Sequence, residues 1–458
     1  MRRELRGISA GLKEVQEGGI IVVTIPPLQI RLGETEVVEF EFKVRKRNDP
    51  TRTQRVTALT SISKLALPPE GIEDGSVWIM GDLHIHSKYS ECQKPSVPRN
   101  LFDLYHIRDS LQPRGYRFIY MTDHVGSTTG RHLQRTVCLC PTGTGFPLPC
   151  GVANTWQCYV TNTQRATMAQ IALFPGAEVT AWHATNQHGG GHALIYGANN
   201  LVRRDGVMLF CNQLTGPDLV RLAPGSSLAI AHPMGTVIGG PWEHLRWLYD
   251  IRGYRGVELI TPKDWDHTLA SSETQWWMAR AFTTEALSDA VAGRGVLSVR
   301  TGSDWHGFWG EAYAEFGTHV LIPVALATWQ SEPWSTRRHR VDDALHAGHT
   351  IAAHRRGWGR VTVNNVMPGG VVRNIPSVTT LNFNIRFIPS VTGTYTISVF
   401  RNNLTGTPEF RETVSGTAGV EITRNFTRSF PGGTHGYWFY VEGADHIYST
   451  PVIVTSSP

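Results

Sequence analysis

The stretch GDLHIHSKYSE, Gly81–Glu91, decides how this chain is read. Apolar Val77 to Met80 runs straight into it and predicts a buried strand. Two histidines, His84 and His86, follow one residue apart, and Glu91 stands five residues after the second. Imidazoles and carboxylates gathered at the end of a buried strand are costly unless they bind a metal or one another.

The same arrangement recurs downstream. Asp123 and His124 follow the apolar run Phe118 to Met121, and Glu178 closes IALFPGAE. His192 lies in GGGHALIYG, with His188 four residues earlier in the same glycine-rich stretch. His232 follows Leu228 to Ala231, and Asp304 and His306 belong to GSDWH after Val296 to Val299. Leu101, Leu104, Ile107 and Leu111 fall at helical spacing before Gly115, and a second helical stretch carries Trp276, Trp277, Ala281, Leu287 and Val291. Alternating strands and helices imply parallel strands. In parallel barrels the loops at the C-terminal ends of the strands converge on one mouth, so these ligand-type clusters are expected to meet. A lone strand-end histidine is more often a hydrogen-bonded structural residue; the whole constellation is what packing alone does not explain.

Outside this region the pattern changes. Ile20 to Ile25 is a continuous apolar run, and Val38, Phe40, Phe42 and Val44 alternate with polar neighbours, which predicts strands. A polar, threonine-rich stretch and a linker marked by Pro68, Pro69, Gly71 and Gly75 follow. After Arg355 the helical signal ends. Leu381, Phe383, Ile385 and Phe387 alternate, as do Tyr395, Ile397 and Val399, which predicts an antiparallel β-sandwich. The expected organisation is an N-terminal β segment (1–75), an α/β unit (76–355) and a C-terminal β-sandwich (356–458).

The chain has 458 residues, of which 41% are hydrophobic and 18% charged, as in a globular protein of more than one unit. A net charge of +5 is small for this length, and clusters such as Lys43 to Arg47 and Arg337-Arg338-His339-Arg340 read as solvated faces. Neither nucleic acid nor membrane is an expected partner; no apolar run approaches the ~18 residues of a membrane span. The first residues lack the apolar core of a secretory signal, so the cytoplasm is the expected compartment. Four of the six cysteines, Cys138, Cys140, Cys150 and Cys158, crowd one segment. Their spacing does not match paired C-x2-C zinc sites, so disulfides or free thiols are the plainer reading. Disulfides would require an oxidising, extracytoplasmic setting. Residues 125 to 170 hold few positions at helical spacing and read as an insertion forming a lid or wall over the mouth.

GDLHIHSKYSE, MTDH, PGAE, AHP and GSDWH, in this order, resemble the polymerase-and-histidinol-phosphatase (PHP) superfamily of metal-dependent hydrolases. Within it, Trp78-x-x-Gly81-Asp82-Leu83-His84, DALHAGHT and IYSTPVIV are similar to the branch that includes carbaryl hydrolase. The resemblance implies a distorted (β/α)7 TIM-like barrel and two or three divalent ions, zinc, manganese or iron. It implies that His84, His86 and Asp304 hold a first ion, that Glu178 bridges to a second completed by His192 and His232, and that Glu91, His124 and His306 hold a third. Glu91 departs from the family, which commonly has Asp there. Asp82 and Asp123, beside ligands, are expected to orient imidazoles, with simple strand-end hydrogen bonding as the alternative for Asp82.

The function expected from this resemblance is hydrolysis of a small-molecule substrate by a metal-bridged hydroxide, with Glu178, Asp304 and His306 catalytic. Phosphoesters are the expected substrates, with Lys88, Arg131 and Arg300 as candidate cations at the mouth. Carbamates or aryl carboxylic esters are the alternative, with Trp182, Trp305, Phe308 and Trp309 as candidate pocket walls. A binding protein with an inactive barrel is a third reading, at odds with intact ligand motifs.

Overall fold

The computed structural model describes residues 35–46, 49–63, 72–73, 75–87, 103–125, 139–141, 147–149, 152–182, 189–197, 203–204, 207–208, 227–231, 254–260, 284–305, 315–402 and 406–456. Strands β1 (Thr35–Lys46) and β2 (Asp49–Ser63) form an antiparallel pair in which Phe40 opposes Ala58. The polar, threonine-rich stretch is therefore a strand, in keeping with the β preference of Thr and Val. The run Ile20 to Ile25 lies outside the described residues.

The Gly81 stretch opens as predicted. Strand β3 (Ser76–Ile85) is buried from Val77 onward. It pairs in parallel with β4 (Phe118–Met121), reached through helix α1 (Leu104–Leu111). Asp103 caps that helix by accepting the Tyr105 N–H, and the 3-10 turn after it ends at Gly115 with φ +87°. A further helix, α2 (Val152–Ala166), precedes β5 (Ala172–Trp182), which runs parallel to β4. This corrects the expectation that residues 125–170 lack helical character: Trp156, Tyr159, Thr163 and Ala166 recur every three or four residues and are buried.

Strand β6 (Gly189–Tyr196) departs from the expected parallel order. It is antiparallel to β5 and to β7 (Ser227–Ile230). The reason is the connection: only residues 183–188 separate β5 from β6, too few for the crossover of a dozen or more residues that parallel pairing needs. Parallel pairing resumes from β7 to β8 (Tyr254–Ile260) and to β9 (Ser298–Thr301), which begins two residues later than the apolar run suggested. Helix α3 (Thr284–Val291) leads into β9. Beyond β9 the chain returns to β3. Asp304 N–H donates to His84 O at 2.6 Å, and His86 N–H donates to Trp305 O at 3.1 Å. The pairings thus close a circuit from β3 through β9 and back, within a mixed α/β, strand-rich architecture.

Strand β10 (Phe316–Ile322) flanks the other side of β3, and short helix α4 (Leu326–Ser331) leads to α5 (Trp334–Ala347). This last helix is tied to the start of β5 and the turn before it: Trp334 Nε1–H donates to Leu173 O at 2.8 Å and Arg337 to Met168 O at 2.9 Å. The arginine cluster expected on a solvated face is spent here. Arg337 and Arg338 are buried, the former over the Trp329 ring at 4.2 Å, and Arg340 pairs with Glu332.

The sheet continues without a break through β11 (Thr350–His354) into the C-terminal region. There β12 (Trp358–Val363), β14 (Thr380–Ile388) and β17 (Ile422–Ser429) make a three-stranded antiparallel sheet, with β13 (Val371–Ile375) intervening in sequence. Strands β15 (Gly393–Arg401), β16 (Phe410–Gly416), β18 (Thr434–Gly443), β19 (His446–Ser449) and β20 (Val452–Ser456) make the layer facing it. The alternating residues Phe383, Ile385, Phe387, Tyr395, Ile397 and Val399 all enter one apolar cluster with Trp78 of β3. One pairing is not antiparallel, since β13 runs parallel to β20. Among the described residues no helix is long and apolar enough to cross a membrane.

Candidate metal centre

Four of the expected ligands meet. One donor atom each from His84, His86, Glu178 and Asp304 lies within 4.8 Å of every other, and all four residues are buried. The Nε2 atoms of both histidines stand 3.3 Å from Glu178 Oε2 and 3.3 and 3.1 Å from Asp304 Oδ1. Their rings lie 5.2 Å apart.

Each donor arrives by a local device. His84 and His86 are two positions apart at the end of β3. Glu178 lies within β5 rather than after it, as the strand extends to Trp182. Asp304 follows β9 with φ +45°, a backbone region that Asp tolerates better than most residues. The close return of this segment needs Gly302: a Cβ there would stand 2.4 Å from His84 Cβ and 2.5 Å from His84 N. Asp82 ties both sides together, accepting the N–H of His84 and of Ser303, each at 3.0 Å. Burial pushes the Asp82 carboxyl up to about 6.

His192 reaches the cluster differently from expectation. Because β6 is antiparallel, its beginning lies beside the far part of β5, and His192 Nδ1 contacts Glu178 Oε1. Glu178 therefore has histidines on both carboxylate oxygens. Main-chain pairing sets His124 beside Glu178 in register; its side chain, like Glu91, His188, His232 and His306, lies outside the described residues. So do Lys88, Arg131, Phe308, Trp309, Cys138, Cys150 and the side chains of Trp182, Cys140 and Cys158.

One expectation is corrected. Arg300 is not a cation at the mouth. It is fully buried, donating to Ser298 Oγ, Ser227 Oγ and Leu345 O, with its guanidinium 5.2 Å from the Tyr196 ring centroid. Gly256 makes room for it, since a Cβ there would meet Arg300 Nε at 2.3 Å. Asp123 anchors main chain: it accepts from Ser87 N–H at 2.6 Å, Ser87 Oγ–H at 2.7 Å and Tyr159 O–H at 2.7 Å. It thereby secures the residue after His86 and docks α2.

The sequence reading missed Glu258. Its Oε2 stands 3.0 Å from His84 Nδ1, both side chains being fully buried. The available signal was a carboxylate inside the otherwise apolar run Val257 to Ile260, between Val257 and Leu259.

The donors fit a divalent cation. Ligand atoms on opposite sides of an ion with bonds of ~2.0–2.2 Å stand ~4.0–4.4 Å apart, close to the spread present here. The electrostatics ask for positive charge. Burial by itself would push the His84 imidazole down, but the carboxylates of Glu258, Asp304 and Glu178 outweigh it and hold it well above its usual range. The buried cluster can thus hold a metal ion, and its mixture of imidazole and carboxylate suits zinc, manganese and iron alike.

No protein-family model and no curated protein matches the chain. Among solved structures, a β-glucosidase from Listeria innocua aligns over 22% of this chain and 17% of its own, at 14% identity and a TM-score of 0.16. A CARDB domain from Pyrococcus furiosus aligns over 22% of this chain and 97% of its own, at 15% identity and a TM-score of 0.17. Likenesses of that extent decide neither fold nor chemistry.

Proposed function

We propose that the chain is a metal-dependent hydrolase of the PHP type, with its active centre at one end of a distorted (β/α)7 barrel and phosphoesters as its substrate class. The observation that carries this reading is the convergence of His84, His86, Glu178 and Asp304 within 4.8 Å, from three separate motifs of the resemblance. A divalent ion there supplies Lewis acidity, polarising a phosphoryl or carbonyl oxygen and making water acidic near neutral pH.

The chain's own residues do the rest. Glu178 faces His84 and His86 with one oxygen and His192 with the other, which suits it to serve two adjacent ions. Asp304 lies against both imidazoles and is positioned to take the proton of an attacking water. Asp82 fixes the main chain on both sides of the centre, so the donors are preorganised. His232 at the second ion, and Glu91, His124 and His306 at a third, belong to the same proposal, with His306 as a second proton carrier.

A second reading, hydrolysis of carbamates or aryl esters, is favoured by one observation: Arg300, a candidate phosphate-binding cation, is committed to the interior. Turnover of aryl phosphates, phosphodiesters, aryl carbamates and aryl esters with Mn2+ or Zn2+ separates the readings. Metal-dependent phosphate release, lowered at least a hundredfold in Glu178→Gln, supports the first. Turnover of carbamates or esters alone replaces it with the second. Turnover that persists without metal would end both.

A further inference from the structure

Among the described residues, Glu258 is the one acidic neighbour of His84 that no motif names. It lies in β8 between buried Val257 and Leu259 and is itself buried. Its Oε2 is 3.0 Å from His84 Nδ1, while His84 Nε2 stands 3.3 Å from both Glu178 and Asp304. The His84 main chain is fixed separately, its N–H by Asp82 and its carbonyl by Asp304 N–H and Ser303 Oγ–H. The ring's rotation and the choice of which nitrogen carries the proton are not set by those main-chain bonds. A carboxylate at one nitrogen decides both.

We propose that Glu258 is a positioning residue of the metal centre: it accepts the Nδ1–H of His84 and thereby holds Nε2 toward the ion. The inference rests on the metal-centre reading above. Glu258 touches neither ion nor substrate and acts through His84.

One competing role is built into the same strand. Glu258 is the register partner of Arg300 across β8 and β9, and the alternative role is to balance that buried guanidinium. Two substitutions separate the roles. Glu258→Asp keeps the charge beside Arg300 but withdraws the carboxylate from His84 by one methylene. Glu258→Gln keeps an acceptor oxygen within reach of His84 but removes the charge.

The test is zinc affinity of the full chain, stripped with chelator and titrated against a chromophoric competitor, with proton–nitrogen spectra of the histidine side chains and a thermal melt alongside. Glu258→Asp is expected to bind zinc roughly 10- to 100-fold more weakly, with the His84 Nδ1–H signal lost to solvent exchange. Glu258→Gln is expected to keep that signal in the zinc-loaded protein and to bind zinc more tightly than Glu258→Asp. Wild-type zinc affinity in Glu258→Asp, with a lowered melting temperature in Glu258→Gln, would assign Glu258 to Arg300 alone and overturn the proposal. Failure of the wild type to bind zinc would overturn the metal-centre reading itself, and this inference with it.

Discussion

His84 has acidic groups at both ring nitrogens: Glu258 at Nδ1, Glu178 and Asp304 at Nε2. No packing argument recommends that arrangement, because burying carboxylates costs several kcal/mol per ion unless a cation answers them (about 3–5 when a pair is broken). Neighbouring Gly302 is the residue on which the geometry turns, since only a missing Cβ lets the Asp304 segment lie against the His84 main chain. We predict that Gly302→Ala destabilises the fold by about 1–3 kcal/mol, as overpacking does, because the obstructing atoms belong partly to backbone and cannot rotate away. Zinc affinity should fall at least tenfold as Asp304 is displaced. A variant with wild-type denaturation midpoint and zinc affinity would show that this close approach does not shape the centre. The ligands were legible at this scale because residue type carries the signal: a histidine or acid at a strand end is conspicuous. Glu258 was not, because its partner lies 174 positions away and its own surroundings read as ordinary strand.

At the scale of elements, two local features redirected the expected order. The glycine-rich GGGHALIYG was read correctly as carrying His192, but its direction depends on the six-residue connection before it, which is too short for a parallel return. Helix α2 was hidden by composition. The cysteines, glycines and prolines from Cys138 to Cys150 dominate the eye, while Trp156, Tyr159, Thr163 and Ala166 keep a helical period just behind them. The helix matters to the site because Tyr159 O–H reaches both Met121 O and Asp123 Oδ2, at 2.8 and 2.7 Å. We predict that Tyr159→Phe costs about 1–3 kcal/mol of stability, since a buried carboxylate loses a donor. Urea denaturation of the two proteins gives the figure directly. A loss below about 0.5 kcal/mol, the bottom of the range for one net hydrogen bond, would mean that water replaces the hydroxyl and α2 is not held through it.

At the scale of the molecule, the sheet is continuous from the strands around the centre to one of the two C-terminal layers, and Trp78 of β3 joins the apolar cluster between those layers. The alternation of Leu381 to Phe387 and of Tyr395 to Val399 made that core legible, because period-2 burial is written directly in the residues. The return of the Asp304 segment to β3, the parallel pair β13 and β20, and the interior commitment of Arg300 were not legible. Each depends on which distant strands become neighbours, and pairing partners leave no mark in local spacing.

His84, His86, Glu178 and Asp304 are proposed to bind a divalent cation together. Calorimetric titration of the chelator-stripped full chain with Zn2+, beside His86→Ala, decides this. We predict at least one tight equivalent in the wild type, with a gain of about 2.7 kcal/mol in folding stability at a hundredfold excess over Kd. We predict binding at least a hundredfold weaker in His86→Ala, whose fold is retained by circular dichroism. A wild type that takes up no zinc, or a His86→Ala protein that binds zinc as tightly, would show that the cluster is not a metal site.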